Sequence, residues 1–286
     1  MISSKKIILK SGKDQSVFRR HPWIFSGAIK KIHGHASDRA DDRRFDNKDT
    51  FLARGHYQPG SIAVRILTFS DTIIDADFYR ERINDAVEYR RETGILNLPS
   101  TNVFRLIHAE GDNMPGLIVD LYNDIAVLQA HSAGMYYQRE LLAEILMSLE
   151  NLPVSAVYDK SNTTLTHKAG IEHSNGFLKG KPADDLVVLD PPAFAKHQNV
   201  LHNALQGYKR LNIKAIEKIT PGGILFTFSC SQVVNRENFR KSVFAAAASA
   251  GRKVRIIKQL SQTADHPVNI FHPESEYLKG LVLYIE

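Results

Sequence analysis

The sequence predicts an α/β protein in three parts: a β-rich N-terminal domain over 1–72, an α+β middle domain over 73–180, and the second half of a doubly wound domain over 181–286. Three observations carry that prediction. Two apolar runs, Leu186-Val-Val-Leu189 and Gly223-Ile-Leu-Phe-Thr-Phe-Ser229, lack alternation and are bounded by turn formers, the mark of strands buried on both faces. A helical run separates them, which gives the strand-helix-strand rhythm of a parallel sheet. Residues 1–70 instead string short apolar runs between turn residues, with no long helical period.

In chain order, Ile7-Ile-Leu9, Phe51-Leu-Ala53 and Ile62 to Leu67 are predicted strands. Between the first two lies Val17-Phe-Arg-Arg-His-Pro-Trp-Ile-Phe-Ser-Gly-Ala-Ile29, where basic residues interleave with aromatics. Such a run can pair with phosphates and stack on bases, through Arg19, Arg20 and Trp23. It also fits a bland alternative, in which Trp23 and Phe25 join a core and the arginines are solvated. Charge favours a polyanion: residues 1–56 carry thirteen Lys and Arg against six Asp, a surplus larger than the net +6 of the whole chain. A solubilising surface would look the same.

Residues 75–93 form a predicted helix. Asp75 or Asp77 caps it, Gly94 stops it, and Phe78, Ile83, Ala86, Val87 and Arg90 share one face. Strands follow at 103–107, 117–119 and 125–129, then a helix from Met135 to Leu149 and a strand at 154–158. His108, Glu110, Asp112 and Asp120 sit close in sequence, but their spacing matches no metal site, and turn or surface roles are expected.

The C-terminal part reads as a helix from Leu201 to Ile219, with an apolar face through Leu201, Leu205, Tyr208, Leu211, Ala215 and Ile219. Asn235 caps the next helix and Gly251 ends it. Strands at 254–260 and 280–285 close the chain as an antiparallel pair at a sheet edge. The single cysteine excludes an internal disulfide framework and a multi-cysteine metal site. With no membrane-length apolar stretch and no signal-peptide pattern, a cytoplasmic protein is expected. Open α/β sheets bind ligands beyond the carboxyl ends of their strands, and Asp190 and Cys230 both stand there.

These residues resemble a known family, the PUA-containing class I methyltransferases that act on large-subunit ribosomal RNA. The resemblance rests on His21-Pro-Trp-Ile-Phe-Ser-Gly27, Pro115-Gly-Leu-Ile-Val-Asp120, Leu186 to Phe194 with its Asp-Pro-Pro-Ala-Phe, and Gly207-Tyr-Lys209. It continues through Gly222 to Ser231 with its Thr-Phe-Ser-Cys-Ser, Ala264-Asp-His-Pro267 and Tyr277-Leu-Lys-Gly280. It implies a PUA-like β-barrel, S-adenosyl-L-methionine as cofactor, ribosomal RNA as partner, and methylation of cytosine carbon 5 through a cysteine adduct; a homodimer is one expected assembly. By the same resemblance Cys230 and Asp190 are the catalytic pair. Asp190 and Pro191 border the cofactor, while Pro192, Phe194, Arg19, Arg20, Trp23 and Lys209 meet the substrate. Tyr208 and His266 have either a substrate contact or a polar surface role.

Two departures from the family pattern stand out. Arg39-Ala-Asp-Asp-Arg-Arg44 falls where the barrel has an alternating strand, so that strand is expected to be frayed or absent. The larger one is a hole. Residues 159–183 are too few for the three βα units that precede the Asp-Pro-Pro strand, and the chain has no G-x-G-x-x-G turn. The cofactor-binding first half is therefore missing between Lys181 and Asp184, either unobserved or lost. Two rival functions stay open: an exocyclic-amine methyltransferase, which needs no cysteine, and a non-catalytic RNA-binding protein without a cofactor site.

Overall fold

The computed structural model describes residues 5–33, 42–47, 50–99, 102–162, 164–165, 174–181 and 200–286. The chain forms two compact units. The first comprises residues 1–186 with 264–273, and the second comprises 187–263 with 274–286.

The first unit opens with a six-stranded sheet. Its strands are β1 (Lys5–Leu9), β2 (Trp23–Phe25), β3 (Ile29–His33), β4 (Asp42–Asn47), β5 (Thr50–Tyr57) and β6 (Ile62–Thr68), with a short helix α1 (Gln15–Phe18) after β1. Their order is β2-β6-β5-β4-β1-β3. Ile7, Leu9, Val17, Ile24, Ala53, Val64 and Ile66 form its core. The strand expected to fray is present: β4 pairs parallel with β1 and antiparallel with β5. Backbone ladder bonds hold it in register whatever its side-chain pattern, which explains why alternation alone could not find it.

The same unit carries a five-stranded sheet, ordered β11-β10-β9-β8-β7. Helix α2 (Ala76–Glu92) precedes β7 (Val103–His108), β8 (Leu117–Tyr122) and β9 (Ile125–Ala130); α3 (Ala133–Tyr137) and α4 (Arg139–Met147) then lead to β10 (Ala156–Asp159) and β11 (Gly176–Gly180). Asp75 caps α2 by accepting from Phe78 N at 3.0 Å, and Gly94 beyond its end adopts φ 80°. The expected face is buried, with Tyr79 added to it. The single helix expected over 135–149 is two, parted at Gln138, where Arg139 Nη1 donates to the Tyr136 carbonyl. Strand β10 runs parallel to β9 and antiparallel to β11, a strand not foreseen in the Gly176–Gly180 segment.

Arg90 lies at the centre of this unit with no exposed surface, donating to Asp112 through both terminal nitrogens. Its Nε donates to the Arg105 carbonyl at 3.0 Å and Nη2 to the Asp265 carbonyl at 2.9 Å. Arg105 in turn forms a fork with Asp120, and its Nη1 lies 3.2 Å from His108 Nδ1. Asp112 and Asp120, near His108, are thus the partners of two arginines. Burial first, and then the neighbouring Arg105, His266 and Arg90 charges, push His108 down to about 3.

The second unit contains α5 (Leu201–Lys218), β12 (Gly223–Ser229), α6 (Arg236–Ala250), β13 (Val254–Leu260) and β14 (Lys279–Ile285). Strand β14 is inserted between β12 and β13 and is antiparallel to both, so the expected closing pair is in fact a three-stranded arrangement with the last strand inside. Its burial explains the position, since all but one of its residues from Lys279 to Ile285 are buried. Asn235 caps α6 by accepting from Asn238 N at 2.8 Å. The apolar face assigned to α5 is rotated: Leu211 is 53% exposed, whereas Ala204, Tyr208, Asn212 and Ile216 are buried. Asn212 is tolerated inside because its amide donates to the Tyr208 carbonyl at 2.8 Å. Among the described residues no helix is long and apolar enough to cross a membrane.

Candidate active site

Strand β12 delivers its last residues to the site. Ser229 is buried, Cys230 is exposed and Ser231 is buried, so the chain turns outward at the cysteine and inward again on either side. Ser229 Oγ donates to the Tyr208 hydroxyl at 2.9 Å, tying the strand end to α5. The Tyr208 ring packs edge-on against Phe239 of α6, at 5.4 Å between centroids. Burial, with a smaller contribution from the Cys230 charge, raises the Tyr208 hydroxyl above the usual tyrosine value, partly opposed by the Ser229 hydrogen bond. Tyr208 therefore keeps its proton at neutral pH and works as a support.

Lys279 completes the turn. It opens β14 directly opposite Ser229 in the ladder, and its ammonium is buried. Nζ donates to the Ser231 carbonyl at 2.6 Å and to the Val234 carbonyl at 2.5 Å, so one side chain gathers the backbone on the far side of the cysteine. Burial pulls its pKa down, and the Cys230 charge is the leading influence that pulls it up. Farther out, Arg236 and Glu276 pair at 2.7 Å, and Gln232 Nε2 donates to the Glu274 carbonyl at 2.9 Å. The arrangement presents one thiol to solvent on a turn fixed from both sides.

Of the residues singled out from sequence, Asp190, Pro191, Pro192 and Phe194 lie outside the described residues, as does the join expected between Lys181 and Asp184. Lys209 follows Tyr208 on α5 and is half-buried. In the first unit, Arg19 and Arg20 are exposed. The Trp23 indole donates to Glu110 Oε1 at 2.7 Å and packs 4.2 Å from the His272 ring, so its polar edge is already committed within the fold. His266 packs 4.9 Å from His108. Sequence reasoning missed Lys279 and Ser229 as supports. The signal for the first was a lysine heading an otherwise apolar strand.

The model of the PUA-like domain matches residues 7–69, the whole of the six-stranded sheet but for the first residues of β1. Ribosomal RNA large subunit methyltransferase I of Enterobacter sp. (strain 638) is 29% identical over 393 aligned positions, covering 97% of this chain and 98% of the relative. The protein of that name from Cronobacter sakazakii is 28% identical over 398 positions, covering 99% and 100%. The chain is a homologue of these methyltransferases. Among solved structures, a protein described as a methyltransferase and crystallised with SAH superposes with a TM-score of 0.69 at 12% identity, covering 97% of this chain and 99% of that one. A second, described as a SAM-dependent methyltransferase from Streptococcus mutans, gives 0.67 at 11%.

The homologue is thus an α/β enzyme with an N-terminal PUA-like domain and a methyltransferase-like fold. An alignment of 393 positions exceeds the 286 residues of this chain, so more than a hundred positions of the Enterobacter relative face no residue here. In the second unit, Ile224, Phe226 and Phe228 alternate along one side of β12 and are all exposed, Phe226 by 59%. The helices cover the opposite side, where Leu281, Leu283 and Ile285 of β14 meet Tyr208, Ile216, Phe239 and Val243. One side of this sheet is therefore packed and the other carries a row of bare aromatic and branched side chains.

Proposed function

We propose that this methyltransferase acts on carbon 5 of a cytosine in large-subunit ribosomal RNA, through a covalent adduct on Cys230. The observation that carries the reading is the exposed Cys230 at the carboxyl end of β12, on a turn held by Lys279 and by the Ser229–Tyr208 hydrogen bond. Carbon 5 of cytosine is a poor nucleophile. Addition of the Cys230 thiolate to carbon 6 moves electron density onto carbon 5, which takes the methyl group; loss of the carbon 5 proton then breaks the sulfur–carbon bond and returns the thiolate. Asp190 is assigned to hydrogen-bond the base, with Pro191, Pro192 and Phe194 walling the pocket. The target base has to leave its stack to reach the sulfur.

S-adenosyl-L-methionine, the cofactor, supplies the methyl group. The described residues contain no cradle for it. No glycine-rich turn from strand to helix precedes β12 among them, and the side of β12 carrying Phe226 and Phe228 is bare. We place the unmatched alignment positions between Lys181 and Asp184, where the first half of the cofactor domain would stand. Residues 1–72 and 73–180 then form the RNA-binding and middle parts, and residues 181–286 the nucleophile-bearing half.

The test is to incubate the protein and S-adenosyl-L-methionine with large-subunit ribosomal RNA transcribed with 5-fluorocytidine, whose carbon 5 has no proton to lose. A denaturation-resistant protein–RNA adduct is expected, and Cys230→Ala abolishes it. Methylation that survives Cys230→Ala would point to an exocyclic amine as the acceptor. The bare side of β12 favours a second reading, a PUA-type RNA-binding protein without a cofactor site. Calorimetry of the full chain with S-adenosyl-L-methionine separates the two, since that protein would give no binding heat.

A further inference from the structure

The first unit contains a cavity of about 230 Å³, apart from the cysteine turn and unused by the chemistry above. It lies among the turn at Arg20, the end of β6 at Phe69, Arg82 of α2, the turn at Glu110 to Asn113, and the 269–271 segment. Pockets for whole drug-sized ligands span about 300–1,000 Å³, so this one suits a smaller group, such as a single nucleobase.

Its lining combines two cations with two aromatic rings. The Arg20 guanidinium sits 5.4 Å above the Phe69 ring, and Arg20 holds a left-handed backbone with φ 58°, a conformation that costs about 1 kcal/mol or more for a non-glycine residue. Arg82 Nε is buried and has no hydrogen-bond partner among the described residues. Arg82 Nη1 lies 3.8 Å from Asp85 on the surface, too far for a hydrogen bond and too exposed for a strong ion pair. Phe271 is 47% exposed at the rim. It is held there by Asn269, whose Oδ1 accepts from Phe271 N at 2.9 Å while Nδ2 donates to the Glu110 carbonyl at 3.0 Å. Glu110, with Oε1 fixed by Trp23, places a carboxylate against the same space.

We propose that this cavity is a subsite for one unstacked nucleotide of the RNA substrate, distinct from the nucleotide that is methylated. The base lies against Phe271 and Phe69, the phosphate pairs with Arg20 and Arg82, and Glu110 accepts from a base that carries an amino or imino N–H. Aromatic faces flanked by guanidinium groups are the general means of gripping single-stranded RNA. The carboxylate argues against a site for free phosphate, which it would repel. The inference rests on the RNA-substrate reading above, but it makes a separate prediction.

Trp23 is the only tryptophan, and its indole is bonded to the Glu110 carboxylate at the cavity, so the protein has a built-in reporter. Titration of the full chain with single-stranded oligocytidylate and oligouridylate is expected to change Trp23 fluorescence. Inorganic phosphate at matched concentration is expected to leave it unchanged. Phe271→Ala and Arg82→Gln should each weaken oligonucleotide binding about tenfold, the size of one lost stacking or charge-assisted contact, with circular dichroism and melting temperature held near those of the parent. Binding within twofold of the parent in both variants would overturn the proposal, as would a phosphate response equal to that of the oligonucleotides. So would competition by an acidic peptide as strong as by RNA. The 5-fluorocytidine adduct keeps the two ideas apart: adduct formation with unweakened variants sinks the subsite alone, whereas oligonucleotide binding without adduct or cofactor binding sinks the enzyme reading alone.

Discussion

The ammonium of Lys279 donates to the carbonyl of Ser231 at 2.6 Å, so a buried charge on β14 grips the residue immediately after the exposed cysteine of β12. A second bond from the same nitrogen reaches the Val234 carbonyl. Removing the lysine leaves two carbonyls without their donor and takes a positive charge away from the Cys230 sulfur. Lys279→Met is therefore expected to loosen the turn, and hydrogen exchange at the amides of residues 230–235 should quicken about tenfold. Unchanged exchange there would mean that the turn holds its shape without Lys279.

The first unit depends on Arg90 in a comparable way. Its guanidinium is fully buried and paired with Asp112, whose carboxylate also accepts from His108 N at 2.5 Å. Arg90→Met leaves that carboxylate buried without its cation, a change that costs about 3–5 kcal/mol in sites of this kind. Urea unfolding followed by Trp23 fluorescence reads the loss directly, because the single tryptophan lies in this unit. Adding Asp112→Asn to Arg90→Met should recover part of the loss. No recovery would show that the arginine acts through its carbonyl contacts with Arg105 and Asp265.

Acid sensitivity follows from two buried histidines. Burial, reinforced by Arg65, lowers His56 to about 4, and His108 falls to about 3. Both folded-state values lie below the ~6.5 of an unfolded histidine, so the unfolded chain binds more protons in the interval between. Their stabilisation is complete above pH 6.5 and is lost as pH falls, for His56 down to about 4 and for His108 down to about 3. Urea midpoints of the first unit should decline across that window. His56 Nε2 lies 3.1 Å from the Tyr79 hydroxyl, and His56→Gln keeps a polar partner there while removing the titration. A shallower decline between pH 6.5 and 4 is expected, and an identical slope would assign the acid limb to other groups.

Much of this was legible in the residues, and the exceptions have physical causes. The buried face of α2 could be read because apolar residues recur at helical spacing and Arg90 falls on the same stripe. Strand β12 followed from an apolar run closed by small polar residues, but its burial did not: such a run predicts cover on both faces, whereas Ile224, Phe226 and Phe228 are exposed. On α5 Leu211 misled: burial there follows Tyr208 and Asn212, whose polar atoms are satisfied inside the fold, while Leu201 and Leu205 pack against the core as expected. Lys279 was hidden because lysine is rarely buried, and only the two carbonyls of a turn distant in sequence make its burial tolerable. The Trp23–Glu110 bond spans 87 positions, beyond the reach of local pattern.

The bare side of β12 leads to the last expectation. Ile224, Phe226 and Phe228 point to the same side of the sheet, and Val282 of β14 stands opposite Phe226 in the ladder. Apolar side chains in such a row bind the dye ANS and promote association, and β12 is an edge strand among the described residues, which adds unpaired backbone groups to the hazard. The full chain should therefore bind ANS in its native state, and Phe226→Gln with Phe228→Gln should reduce that signal and raise solubility without changing far-ultraviolet circular dichroism. An intact mass near 32.2 kDa must accompany the measurement, since a heavier protein would carry further residues able to cover this side. If the chain of that mass binds no ANS, the row is covered in solution, and no absent cofactor half is needed to account for it.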